Sequence, residues 1–154
     1  MNGQIDCQFL TEDRMTNRKI LFDEAIMSSR SGRVLYIMKE ELEELPELSQ
    51  DLVSVDRHYM KMISFLYAKS LETLIESISS LPSWQNVPAT IILDDLSLYC
   101  GTDKVQNACG IVAFLLDTIR SCEMFLKQKC RLLISVTKDS VGDEYYNTLR
   151  DLYF

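Results

Sequence analysis

Two consecutive aspartates, Asp94 and Asp95, directly follow a short apolar segment that spans residues 90–93. The β-branched and aliphatic residues of that segment are typical of a buried strand. In parallel sheets, chemistry is commonly placed at the carboxyl ends of the strands, where an aspartate can hold the magnesium ion of a nucleotide. An aspartate that ends a strand can also cap the next segment without taking part in chemistry. Asp94 is therefore either a magnesium ligand or a structural residue.

A magnesium-nucleotide site needs a second element, a glycine-rich loop whose backbone N–H groups surround the phosphates and whose lysine neutralises them. The strand, loop and helix that would carry this element span residues 4–29, and no glycine lies between Gly3 and Gly32. The predicted loop, residues 11–18, also contains Glu12 and Asp13, whose charges would repel phosphates. We therefore predict no independent ATP binding, no catalytic residue and no cofactor.

Other catalytic or metal-binding arrangements have weaker support. Adjacent residues of a strand point to opposite faces, so Asp94 and Asp95 could form a paired magnesium site only if the strand has already ended. The chain has five scattered cysteines without a CxxC pair and one histidine, His58, which is expected to be structural. This spacing predicts reduced, mostly buried thiols and no metal site.

The order of apolar segments predicts strands that alternate with helices. We place strands at 4–10, 33–38, 60–67, 90–94 and 131–137, and helices at 19–29, 40–45, 70–81, 105–127 and 145–153. Gly32 is predicted to end the first helix, and Ser70 lies at the start of the third. Strands that consist of continuous apolar runs, alternating with helices, indicate an α/β fold: a mostly parallel sheet with helices on both faces.

Length and charge narrow the class of protein. The 154 residues predict one domain over 1–154, and no apolar run is long enough to span a bilayer. An acidic residue near the N-terminus, where a signal peptide would be basic, favours an intracellular protein. A net charge of −7 argues against autonomous nucleic-acid binding. Five basic residues could still contact a nucleic-acid strand when the chain is part of a complex: Arg14, Arg18, Lys19, Arg30 and Arg33.

Several segments resemble the RecA-type recombinase paralogues, in particular the small paralogue that partners a SWIM-domain zinc protein in animal Shu complexes. Residues 90–99 (TIILDDLSLY) are similar to that family's Walker B strand and its continuation. Segments 19–26, 34–38, 60–74, 113–118 and 149–154 are similar to its other helices and strands. The resemblance implies a RecA-like P-loop NTPase core with a degenerate Walker A loop, in which Asp94 and Asp95 form a vestigial Walker B.

The resemblance also implies a function. This chain would be a non-catalytic nuclear subunit of a heterodimer with a SWIM-domain zinc protein, which promotes or protects recombinase assembly on single-stranded DNA in recombination repair. Recombinase and single-stranded DNA in the complex would be its other partners, and no membrane is implied.

A Phe-x-x-Ala element is the part of the resemblance that points to recombinase binding, because its two side chains fill adjacent apolar pockets on a recombinase core. Phe22 and Ala25 match at the family's position and are the candidate recombinase-binding residues. In a helix these residues share a face, and the sequence favours a place in the core for them over recombinase binding. A second match, Phe65 and Ala68, lies in a predicted strand, where a core position is expected.

One rival interpretation rests on residues 93–97 (LDDLS), which also resemble the RecA-like scaffold subunits of the Elongator tRNA-modification complex. Those subunits form rings, whereas a Shu-type complex implies a one-to-one heterodimer. The sequence leaves both scaffolds open, together with a small enzyme that uses Asp94 and Asp95.

Overall fold

The computed structural model describes residues 5–42, 57–81, 85–101, 104–137 and 151. Five strands lie in these ranges: β1 (Asp6–Leu10), β2 (Val34–Met38), β3 (Ile63–Tyr67), β4 (Thr90–Leu93) and β5 (Arg131–Ser135). The helices of these ranges are α1 (Arg14–Ser28), α2 (Arg57–Met60), α3 (Leu71–Ser79), α4 (Lys104–Leu126) and a 3-10 helix (Leu96–Tyr99). No helix in the described part is both long and apolar enough to cross a membrane.

The strands form one parallel sheet in the order β1-β5-β4-β2-β3. Strand β5, which follows β4 in the chain, lies between β1 and β4 and pairs with both. Because the strands are parallel, the carboxyl ends of β1, β5, β4 and β2 meet at one edge of the sheet. That edge is where the residues that follow β4 must lie.

Both faces of the sheet are covered, which confirms the predicted α/β class. On one face α1 packs through Leu21, Phe22 and Ala25 onto side chains of β2, β4 and β5. On the other face α3 and α4 pack through a larger apolar cluster. The five residues of β2 are all buried, since this strand has a neighbour on each side and helices above and below.

The segment predicted as a loop over 11–18 is mostly helical, and this prediction is corrected. Helix α1 begins at Arg14, and Asp13 is its N-cap. The backbone N–H of Thr16 donates to Asp13 Oδ1 at 2.9 Å, and the Thr16 hydroxyl donates to Asp13 Oδ2 at 2.7 Å. Polar residues that suggested a loop are instead the cap and the first turns of a helix. The connection from β1 to α1 is therefore residues 11–13.

The remaining differences between prediction and structure concern the residues at which helices and strands begin and end. Helix α2 occupies the start of the strand predicted at 60–67, so that β3 begins at Ile63. Gly32 does not end α1, since Ser29 caps that helix. A Cβ on Gly32 would lie 2.8 Å from the Ala89 Cβ, so close packing requires glycine at this position. Residues 40–42 are not helical, and 43–45 and most of the predicted helix 145–153 lie outside the described residues.

Ser70 is the N-cap of α3, as its position in the sequence suggested. Its Oγ accepts the Thr73 backbone N–H at 3.2 Å. We expect Ser70→Ala to lower the free energy of unfolding by about 1 kcal/mol, because this N–H group loses its acceptor. Urea unfolding followed by circular dichroism checks the effect. Ser79→Ala, at an exposed position at the other end of α3, is the matched control, and equal losses in both variants would contradict the assignment.

Candidate functional site

Asp94 lies at the carboxyl edge of the sheet, immediately after β4, and its side chain is 2% exposed. Arg18 Nε donates to Asp94 Oδ2 at 2.9 Å, and the Tyr36 hydroxyl donates to the same oxygen at 3.0 Å. The Arg18 side chain is 24% exposed and that of Asp94 is 2% exposed, so solvent reaches the ion pair through the arginine. The carboxylate is thus neutralised by the chain itself.

Neighbouring elements explain why these three side chains meet. Tyr36 pairs with Ile92 in the β2–β4 register, and Asp94 is two residues beyond Ile92, so both side chains lie on the α1 face. Helix α1 starts only three residues after β1, which brings Arg18 over the same edge. Burial, reinforced by the charge of Asp94, raises the pKa of the Tyr36 hydroxyl, so this group stays protonated and donates.

Asp95 has a separate set of partners. Its backbone lies in the left-handed region, with φ of 69°, and its N–H donates to Ser135 Oγ at 2.8 Å. Its carboxylate accepts from the Thr137 hydroxyl at 2.9 Å and from the Ser97 hydroxyl. The carboxylates of Asp94 and Asp95 therefore bind different parts of the fold, and this geometry argues against a paired magnesium site.

The turn between β1 and α1 is closed by Asn17, which is 2% exposed. Its Nδ2 donates to the carbonyl oxygens of Glu12 at 2.9 Å and Val136 at 3.2 Å, and its Oδ1 accepts the Glu12 N–H at 3.0 Å. A phosphate-binding loop needs backbone N–H groups that face an open space. Here the Glu12 N–H is already used, and a side chain joins the turn to the end of β5.

Sequence reasoning missed two residues of this site. Arg18 was grouped with surface basic residues, and Asn17 was not singled out. The signal for Asn17 is a polar residue at a helix position that faces the sheet, which becomes visible only when α1 is known to begin at Arg14. The partner of Arg18 is 76 residues away in sequence, so nothing local identifies it.

No other reactive centre appears in the ranges described. These ranges contain no group of three or more His, Cys, Asp or Glu residues that could hold a metal ion. Burial raises the pKa of Cys122 to about 11 and of Cys130 to about 12, so neither is a thiolate nucleophile near neutral pH. The side chain of His58 lies outside the described residues.

Phe22 and Ala25, the candidate recombinase-binding residues, are part of the core. They are 6% and 1% exposed. The Phe22 ring centroid lies 4.8 Å from that of Tyr36 and 5.9 Å from that of Phe65. Side chains that fill this space are not available to pockets of another protein. Phe65, which was expected in the core, is 41% exposed, because its strand β3 ends the described sheet.

We expect no measurable binding of ATP with magnesium to the purified chain. Arg18 occupies the carboxylate that would hold the metal, and the three-residue turn offers no cradle for phosphates. Isothermal titration at millimolar nucleotide checks this, with an unrelated P-loop ATPase as the positive control. A magnesium-dependent signal with micromolar affinity would contradict it.

Comparison with known proteins identifies the fold. No protein-family model matches the chain, and no curated protein sequence matches it. Among solved structures, the chain is similar to the flagellar accessory protein FlaH from Methanocaldococcus jannaschii, with a TM-score of 0.53 and 12% sequence identity. The alignment covers 95% of this chain and 67% of FlaH. At this identity the likeness shows the fold alone, and it confirms the predicted RecA-like α/β core.

Proposed function

We propose that this chain is a non-catalytic RecA-like subunit of a Shu-type recombination mediator complex. In this proposal it acts in the nucleus with a SWIM-domain zinc protein. The complex promotes or protects recombinase assembly on single-stranded DNA, and the chain contributes a scaffold for partners and no nucleotide chemistry.

The ion pair between Arg18 and Asp94 is the observation that best supports the non-catalytic part of this proposal. A Walker B aspartate must be free to hold magnesium, directly or through water, when nucleotide binds. Here the arginine supplies the compensating positive charge from inside the fold. The RecA-like core is thereby complete without a bound nucleotide, which suits a subunit whose role is to bind proteins.

The Shu-type part of the proposal rests on the sequence resemblance, chiefly residues 60–74 and 90–99. The Elongator-type scaffold stays the alternative, because the internal ion pair would serve any non-catalytic RecA-like subunit equally well. FlaH adds nothing to this choice, since the two chains share 12% identity.

The test is co-expression of the full chain with a SWIM-domain protein and, separately, with a recombinase, followed by native mass spectrometry. We expect a one-to-one heterodimer with the SWIM-domain protein. A hexameric ring would favour the Elongator-type alternative, and no association with either protein would overturn the proposal.

A charge-neutral variant separates scaffold from enzyme. Arg18→Gln with Asp94→Asn replaces the ion pair by two neutral amides, in which an N–H of the glutamine can still donate to the asparagine oxygen. If the chain is a scaffold, this double variant assembles with its partner as the natural chain does. Loss of partner-dependent activity with assembly intact would instead favour chemistry at Asp94.

A further inference from the structure

A groove lies between α3 and α4 on the sheet face opposite α1. Its volume is about 450 Å³, and its apolar lining includes Leu71, Ile75, Ile111 and Phe114. Ile75 is 43% exposed, so this aliphatic side chain of the lining is accessible to solvent. Gly110, also in the lining, is exposed, and a Cβ built on it meets no atom within 4 Å. The wall formed by α4 therefore has an open position at its centre.

The shape of this groove suits a helix. Helices α3 and α4 each follow a strand of one parallel sheet, so they run side by side in the same direction. Two such helices present a linear apolar channel that a third helix fills at the usual interaxial distance of about 8–10 Å. A residue without a side chain, such as Gly110, allows the backbone of that helix to approach closely. Recognition of amphipathic helices commonly uses grooves of this kind.

Three exposed acidic side chains lie near the groove in the part of the chain that the structure describes. On α3, Glu72 and Glu76 are exposed and lie about 60° and 100° from Ile75 around the helix, on the side away from Leu71 and Leu74. This helix contains no lysine or arginine. On α4, Asp117 is exposed and lies within about 60° of Phe114 around the helix, whereas Arg120 lies about 120° from Phe114. Lys69 precedes the N-cap of α3. The rim formed by Glu72, Glu76 and Asp117 therefore favours a basic occupant.

A second copy of this chain fits the rim poorly. A symmetric dimer through the groove would place the same acidic residues of both copies close together. The chain also carries a net charge of −7, which adds general repulsion between copies.

We propose that the groove between α3 and α4 is a docking site for a basic amphipathic helix of a partner protein. The partner helix inserts apolar side chains at i, i+4 and i+7 between Ile75 and Phe114, and its lysine or arginine residues lie against Glu72, Glu76 and Asp117. This inference does not depend on which complex contains the chain.

The experiment is a selection of helical peptides of about four turns from a display library, with the full chain as bait. The library fixes an apolar face and varies the flanking charges. We expect the selected peptides to be basic, and their affinities are then measured by fluorescence anisotropy. No enriched peptide, or enriched peptides without a basic preference, would overturn the proposal.

Variants of the chain locate the binding. Gly110→Trp places a large side chain in the groove, at a position where a Cβ meets no atom within 4 Å, and peptide binding is expected to be lost. Glu72→Lys with Glu76→Lys weakens binding on the order of tenfold at low salt. Glu40→Lys with Glu41→Lys, a matched charge change at exposed residues after β2, leaves the affinity unchanged. Circular dichroism and Tm verify that each variant is folded.

Two results would contradict the assignment. Peptides that bind Gly110→Trp as tightly as the natural chain would place the site elsewhere. A dimer of the natural chain in light scattering that dissociates in Gly110→Trp would identify a second copy, and not a basic helix, as the occupant.

Discussion

Replacing Arg18 with methionine is expected to lower the free energy of unfolding by roughly 2–4 kcal/mol, because Asp94 then lies buried without its cationic partner. Among the described residues, Tyr36 is the side-chain donor that remains to it. This value is lower than the roughly 3–5 kcal/mol that is usual for a broken buried ion pair, since Arg18 is 24% exposed and partly screened by solvent. Urea unfolding with the linear extrapolation measures the loss.

Matched variants identify the cause of that loss. Arg14→Met, one turn earlier on α1 and exposed, is expected to change the free energy of unfolding by less than about 0.5 kcal/mol. Arg18→Gln with Asp94→Asn should recover most of the lost stability, because neither partner is then a buried charge. Equal losses in Arg14→Met and Arg18→Met would show that the ion pair contributes nothing.

Replacing Phe22 with alanine is expected to cost about 3–5 kcal/mol, the usual range for removal of a buried aromatic ring. The ring is 6% exposed and contacts Tyr36 and Phe65, so its loss leaves a cavity between α1 and the sheet. Thermal and urea unfolding measure the effect. A typical domain has a total stability of about 5–15 kcal/mol, so this cost is a large part of it.

This stability cost decides how the Phe-x-x-Ala hypothesis must be tested. Loss of partner binding in a polar or alanine variant of Phe22 would not separate a lost contact from destabilisation of the core. Phe22→Leu keeps an apolar side chain and is expected to cost about 1–1.5 kcal/mol, so it stays folded. If recombinase binds Phe22 directly, the folded leucine variant loses binding. If Phe22 is a core residue, as its burial indicates, binding is retained. Phe65→Ala is the control. It removes a ring that contacts Phe22 but is itself 41% exposed.

Much of the fold was predictable because local patterns carry it. Each of β2, β4 and β5 contains a run of at least three consecutive apolar residues, and a strand buried on both faces needs such a run. The cap at Ser70 was also visible from residue type and position. Helix α1 was placed five residues late, because its first turns carry mainly polar side chains and a polar start is equally typical of a loop.

The missing phosphate loop was predicted from the absence of glycine between Gly3 and Gly32, a property of residue types that needs no coordinates. What replaces the loop was not predictable. Asn17 bonds to Val136 across 119 residues, and Arg18 bonds to Asp94 across 76, and neither partner leaves a local pattern. Phe65 was misplaced for a related reason, since whether a strand lies inside or at the end of a sheet depends on strand order.

By itself, therefore, the sequence determined the class of fold, the strand that precedes Asp94, and the absence of a glycine-rich loop between Gly3 and Gly32, because these depend on the order and type of neighbouring residues. The tertiary structure alone decided that Asp94 is bound by Arg18 and Tyr36, that Asp95 turns toward Ser135 and Thr137, and that a mainly apolar groove lies between α3 and α4. Charge compensation and surface exposure result from residues that are distant in the chain and meet only when the sheet is assembled.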